Sequence, residues 1–247
     1  MVTTARPDHL HISGTFNYRD VGGLRTTNGA TVRRGVLLRS AQLCHLDEHG
    51  HRALRQLGVA TVHDLRGPAE ADRMGIDLLP AEVRLELTPF DSAIGTAPPH
   101  EGGADRGGHL DLVEVYSGFP SMPEAGVALT AMAHSLARGD GAVLVHCAAG
   151  KDRTGWAIAT LLRAVGVTEE DILTDYLLSN DAAESLAADV ARNSGNTLPP
   201  ALLGVNVEYL AAGTAAMHRL HGGLDGYLEA IGFTPELRAA LRARMVE

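Results

Sequence analysis

The stretch Ala142-Val143-Leu144-Val145-His146-Cys147-Ala148-Ala149-Gly150-Lys151-Asp152-Arg153-Thr154-Gly155 decides how this chain is read. Its opening run is apolar and partly β-branched, the pattern of a strand buried on both faces. Gly150 then allows a tight loop, because glycine tolerates positive φ. From about Thr154 to Val165 the pattern is helical, and Gly166 ends it. A loop feeding a helix N-terminus collects backbone N–H donors at the positive end of a dipole, which makes an anion site. Arg153 follows Cys147 by six positions. It can return to the loop mouth and grip two oxygens of a tetrahedral anion. The dipole and nearby cations favour the thiolate of Cys147, which makes it a candidate nucleophile. The amides from Ala148, Ala149 and Gly150 through Arg153 are candidate anion donors. Thr154 can donate its hydroxyl to the sulfur. The bland alternative for Cys147 is a small buried hydrophobe. A Walker-type nucleotide loop is excluded, because Val145 stands where its first Gly belongs and Asp152 replaces its Ser/Thr.

Outward from this stretch, strands alternate with helices. Residues 15–38 read as short strands and turns, with Gly35-Val36-Leu37-Leu38 a buried strand. Asp47 caps a helix that Gly58 ends, and Val59 to Leu65 follows as a strand. Val83 to Leu87 is a further strand, and Pro123 to Arg138 a helix closed by Gly139. Thr168-Glu169-Glu170-Asp171 resembles a capping box, and Thr234-Pro235 starts the last helix. The pattern predicts an α/β fold with a mostly parallel central sheet flanked by helices. One domain spanning 1–247 is expected, with a mainly helical C-terminal third. Residues 91–112, rich in Gly, Pro, Asp and His, read as a mobile loop or lid insertion.

Composition narrows the function. Lys+Arg 21 against Asp+Glu 30 gives a net charge of −9, which argues against a nucleic-acid binder. Any positive charge used on an anionic substrate must therefore be concentrated in one site. The chain has one lysine, Lys151, and it lies inside the loop. Two cysteines, Cys44 and Cys147, make no disulfide framework. No apolar run approaches the ~18 residues of a membrane span, so integral membrane association is not expected. The polar N-terminus lacks the apolar stretch of a secretory signal. A cytoplasmic location, or export without a cleavable signal peptide, is expected.

C-x-x-G-K-D-R-T-G after an apolar strand and before a helix resembles the loop of cysteine-dependent phosphatases. Further likeness lies in Asn17-Tyr18-Arg19-Asp20, Arg39-Ser40, Asp64-Leu65-Arg66 and Tyr116 with Phe119-Pro120. It continues in Asp175-Tyr176-Leu177, Ser179-Asn180-Asp181 and Glu208-Tyr209-Leu210. On these residues the sequence is identified as similar to the bacterial tyrosine and phosphoinositide phosphatases. The resemblance implies a cysteine-phosphatase-like fold with a helical lid. It also implies hydrolysis of phosphomonoesters through a phosphocysteine, without a cofactor or metal. Phosphotyrosine, phosphoserine/threonine and phosphoinositides remain open as substrates. Lys151 resembles lysines associated with multiply phosphorylated headgroups; a solvated lysine is the alternative. Arg19, Arg39 and Arg66 are weaker carry-overs, each as readily structural.

The acid that protonates the leaving group has three candidates. The chain has one Trp, Trp156, inside the helix, so no W-P-D loop is present. Asp152 in C-x-x-G-x-D-R is similar to the myotubularin pattern, in which the loop Asp is the acid. Asp64 ends a strand at the sheet edge where ligands bind; its alternative is an ion pair with Arg66. Asp91 is third. His45 and His49 are spaced i,i+4, but Gly50 interrupts them, so a solvated helix start is preferred to a metal site. Cys44 reads as a packed thiol rather than a redox partner of Cys147. Rival functions are a catalytically weak phosphate-binding module, a sulfurtransferase and an arsenate reductase.

Overall fold

The computed structural model describes residues 12–90, 111–195 and 197–247. Five strands form one sheet: β1 (Arg19–Asp20), β2 (Leu37–Ser40), β3 (Val59–Asp64), β4 (Arg84–Leu87) and β5 (Ala142–His146). Their order is β1-β2-β5-β3-β4; β1 runs antiparallel to β2 and the other pairings are parallel. The mostly parallel α/β fold expected from the sequence is therefore the one observed. Along β5 side chains alternate between faces. Val143 and Val145 enter one core with Leu37, whereas Leu144 enters the other with Leu38 and Val62. Both faces are thus apolar, as a parallel sheet covered on both sides requires.

One face carries α1 (Glu48–Gln56), whose Leu54 joins the smaller core. Asp47 caps it by accepting from the Gly50 amide at 2.9 Å. After β3 the chain forms α2 (Pro68–Met74). Then come α3 (Leu112–Gly118), α4 (Pro123–Arg138) and α5 (Asp152–Ala164). Helix α5 is buried on every side except at Arg163, and its apolar residues Trp156, Ile158 and Leu161 anchor the larger core. It is followed by α6 (Glu169–Leu177), α7 (Ala183–Ser194) and the short α8 (Pro200–Leu203). The chain ends in α9 (Val207–His221), α10 (Leu224–Ala230) and α11 (Pro235–Met245). The C-terminal third is helical, as expected.

Two local readings are corrected, and a third lies largely outside the described residues. Helix α5 begins at Asp152, not near Thr154, so Asp152 and Arg153 both lie in its first turn. Thr168 does cap α6 by accepting from the Asp171 amide, but Asp171 does not reach back. Its carboxylate is taken by Arg25, whose backbone amide and guanidinium both donate to it. Of the stretch 91–112, residues 91–110 lie outside the described residues, Asp91 among them, while Asp111 caps α3 through the Val113 amide. Among the described residues no helix is long and apolar enough to cross a membrane.

Candidate active site

Three parallel strands end level with one another. Ser40 of β2 and Asp64 of β3 both pair in register with His146 of β5. Cys147 follows at once, so the loop emerges at the carboxyl edge of the sheet, where open α/β sheets bind ligands. Gly150 has φ +65°, and a Cβ there would lie 2.0 Å from the Ser40 carbonyl oxygen. Only glycine fits that approach.

The loop carbonyls are satisfied by the surrounding protein. The Cys147 oxygen lies 3.1 Å from His146 Nδ1, and the Ala148 oxygen accepts from the Gln42 amide at 3.0 Å. Asn17 Nδ2 donates to the oxygens of both Ala149 and Gly150 at 3.0 Å, and Arg39 donates to Gly150 at 2.8 Å. All four carbonyls from Cys147 to Gly150 are thus occupied. Among the described residues, the amides of Ala148 to Lys151 donate to no protein acceptor. A run of donors without protein partners thus lies between Cys147 and the start of a buried helix, the make-up of an anion nest.

A buried ionic network holds this nest from behind. Asp175 of α6 accepts from Arg19 at 2.7 Å and from Arg39 at 2.6 Å. Arg19 also bonds the Asn17 side-chain oxygen at 2.6 Å, and Asn17 adopts φ +53° to reach the loop. Burial by itself would raise the pKa of Asp175, but the two guanidiniums outweigh it and hold the carboxyl below its usual range. Burial and the neighbouring Arg39 charge bring Arg19 down to about 10. The motif residues Asn17, Arg19, Arg39 and Asp175 are thus one scaffold for the loop.

Arg153 is 1% exposed and forms a fork with Glu70 of α2, at 2.8 and 2.7 Å, while also donating to the Leu65 carbonyl. Glu70 was missed in the sequence reading. The signal for it was slight: an acid at the third position of a helix opened by Gly67-Pro68. Asp152 is buried, and its Oδ1 accepts from the Tyr116 hydroxyl at 3.0 Å. Lys151 is not the solvated lysine of the alternative reading. It is 2% exposed and donates to the carbonyls of Leu202 and Gly204, at the end of α8. Thr154 Oγ1 is buried without a hydrogen-bond partner among the described residues, so the expected bond to the Cys147 sulfur is not made here. Leu186 and Val190 of α7 pack on Ala149, so helices α7 and α8 cover this side of the loop.

Asp64 is placed in the sequence reading's alternative role. Arg66 donates to both its oxygens, from Nε at 3.0 and 3.1 Å and from Nη2 at 2.8 Å, and also to Asp77 at 2.8 Å. His146 completes the cluster, 2.8 Å from Asp77 and 3.8 Å from Asp64. Burial disfavours its charge, yet the two carboxylates win and raise its pKa to about 9. Asp64, Asp77 and His146 are the one group among the described residues with metal-like spacing. Arg66 and the imidazolium already balance its two carboxylates. Among the described residues His45 and His49 assemble no second cluster; His49 lies 2.8 Å from Arg52 instead. Cys44 is a buried free thiol whose burial pushes its pKa up.

With the loop geometry established, likeness to known proteins can be weighed. The sequence matches the tyrosine phosphatase family over residues 10–247. The chain belongs to that family. It is 33% identical to the triple specificity protein phosphatase PtpB of Mycobacterium tuberculosis, over 90% of this chain and 94% of the relative. It is 34% identical to a putative tyrosine-protein phosphatase of Cupriavidus necator, over 86% and 80%. A tyrosine-protein phosphatase of Nostoc commune is 31% identical, over 85% and 74%. The fold, the cysteine loop and the family agree: this phosphatase acts on phosphorylated substrates by the family's phosphocysteine chemistry.

Proposed function

We propose that this phosphatase uses Cys147 as nucleophile, Asp152 as general acid and base, and Arg153 with the loop amides as the oxyanion cradle. The observation that carries this reading is the loop after Cys147: its carbonyls are bonded by the surrounding protein, while among the described residues the amides of Ala148 to Lys151 have no protein acceptor. The Cys147 thiolate attacks phosphorus in line and an S–P bond forms. The P–O bond to the leaving group breaks, its electron pair goes to that oxygen, and Asp152 supplies the proton. Water then attacks the phosphocysteine and gives its proton to Asp152. The S–P bond breaks, returning thiolate and phosphate. Charge spread over the equatorial oxygens meets the amides and the positive charge of the Arg153 guanidinium, which Glu70 holds in place, and one such preorganised donor is worth about 10²–10³ in rate. Asp64, already tied to Arg66, holds the sheet edge rather than the proton.

The substrates proposed are phosphotyrosine proteins first, with phosphoserine/threonine proteins and phosphoinositides turned over by the same chemistry. PtpB carries triple specificity in its name, which supports that breadth. Placement of Lys151 on α8 carbonyls argues against a dedicated headgroup contact from that residue. The chemistry is tested with p-nitrophenyl phosphate in the presence of a chelator. Turnover by the wild type and its loss in Cys147→Ser are expected. Chelator-sensitive turnover, or activity above about a tenth of wild type in the variant, contradicts the nucleophile assignment. Side-by-side turnover of a phosphotyrosine peptide and the monophosphoinositides tests the order of substrates.

A further inference from the structure

Resting on Asp152 as the acid, we propose that Tyr116 and Tyr176 form a directed hydroxyl relay that positions Asp152 and leaves Oδ2 as its proton-carrying oxygen. Tyr176 donates to the Tyr116 hydroxyl at 2.8 Å, and Tyr116 donates to Asp152 Oδ1 at 3.0 Å. A carboxylate only accepts, so Tyr116 must donate to it; its own oxygen is then left to accept from Tyr176. The three groups come from three helices, α3, α5 and α6, and all are buried. A buried carboxylate without donors is costly, and the relay supplies a donor from an element outside the loop.

The packing is built for this contact. Gly155, one turn into α5, faces the Tyr176 ring, and a Cβ there would lie 3.0 Å from two ring carbons. The Tyr116 ring is held between those of Phe119, at 5.1 Å, and Tyr209, at 5.8 Å. Burial beside the Asp152 charge raises the pKa of both phenols, Tyr116 and Tyr176, so both keep the protons they donate. The charged and titratable groups facing this relay are Lys151, whose Nζ is 3.5 Å from Oδ2, Arg39 beside Tyr176, and Tyr209 of α9. When the ester is cleaved, the proton passes from Oδ2 to the leaving oxygen and the new carboxylate keeps its Tyr116 bond. The attacking water later returns a proton to Oδ2.

Tyr116→Phe removes one oxygen and keeps the ring. Without its donor the carboxylate is less favoured, so the descending limb of the pH–rate profile should move up by about one to two pH units. The loss of kcat on an alkyl phosphate should exceed that on p-nitrophenyl phosphate by about tenfold or more, because a poor leaving group needs the aligned proton. Tyr176→Phe should shift the limb the same way by less. It carries the test by itself if Tyr116→Phe melts out. An unmoved limb with equal losses on both substrates, in a folded variant, overturns the relay. Asp152→Asn is run in parallel. If it keeps the limb and shows no leaving-group dependence, the acid assignment fails; if it loses both while the tyrosine variants do nothing, only the relay fails.

Discussion

Gly150 shows how much one residue decides. Its positive φ and its contact with the Ser40 carbonyl leave no room for a side chain. Gly150→Ala should therefore reduce kcat/KM by about 10² or more, as expected for misplacing oxyanion donors, and measurement on p-nitrophenyl phosphate checks it. Lys151→Ala should lose activity equally on a simple alkyl phosphate and on phosphoinositides, since the lost contacts are to the Leu202 and Gly204 carbonyls and to Asp152 rather than to a headgroup. A loss confined to phosphoinositides would return Lys151 to the headgroup. The residues Cys147, Gly150, Asp152 and Arg153 were legible because their chemistry is packed into seven consecutive positions. Glu70 was not, because its meaning arises only when α2 brings it to Arg153. The burial of Lys151 was also illegible, since its carbonyl partners are backbone oxygens about fifty residues away.

At the scale of elements, the loop depends on β1, β2 and α6 meeting behind it. Asp175 joins them, pairing one oxygen with each of two guanidiniums that are both fully buried. Asp175→Asn removes that charge and strands Arg19 and Arg39, so unfolding free energy should fall by about 3–5 kcal/mol. Urea denaturation followed by circular dichroism measures this, and a change under about 1 kcal/mol would show that the network is not a structural anchor. The strands and most helices could be read from apolar periodicity and caps; Asp47 and Thr234 cap where expected. Asp171 could not be read correctly. Its local capping signal was genuine, but Arg25 offered a charged partner from across the fold.

Across the whole molecule, pH acts through the buried cluster that ties β3, β5 and the segment after α2. His146 has its pKa raised from 6.5 to about 9 by Asp77 and Asp64 against the opposing cost of burial. A raised folded-state pKa stabilises fully below the unfolded value of 6.5, and that contribution is lost as pH rises through about 9. Between these values the unfolded chain has released the proton and the folded chain holds it. Stability should fall with a slope approaching one proton, about 1.4 kcal/mol per pH unit. Urea melts from pH 6 to 9.5 should show this slope, and His146→Gln should flatten it; a wild-type profile already flat would contradict the charged imidazole.

The central claim is that Cys147 carries the phosphoryl group between two steps that Asp152 serves. Asp152→Asn separates them on p-nitrophenyl phosphate, whose phenolate departs with little help while hydrolysis of the intermediate still needs a base. Rapid mixing should give a burst of p-nitrophenolate close to one equivalent of enzyme, and acid-quenched peptide mapping should place one phosphoryl group on Cys147. A linear time course with no phosphopeptide, or a phosphoryl group found on any other residue, would contradict the account.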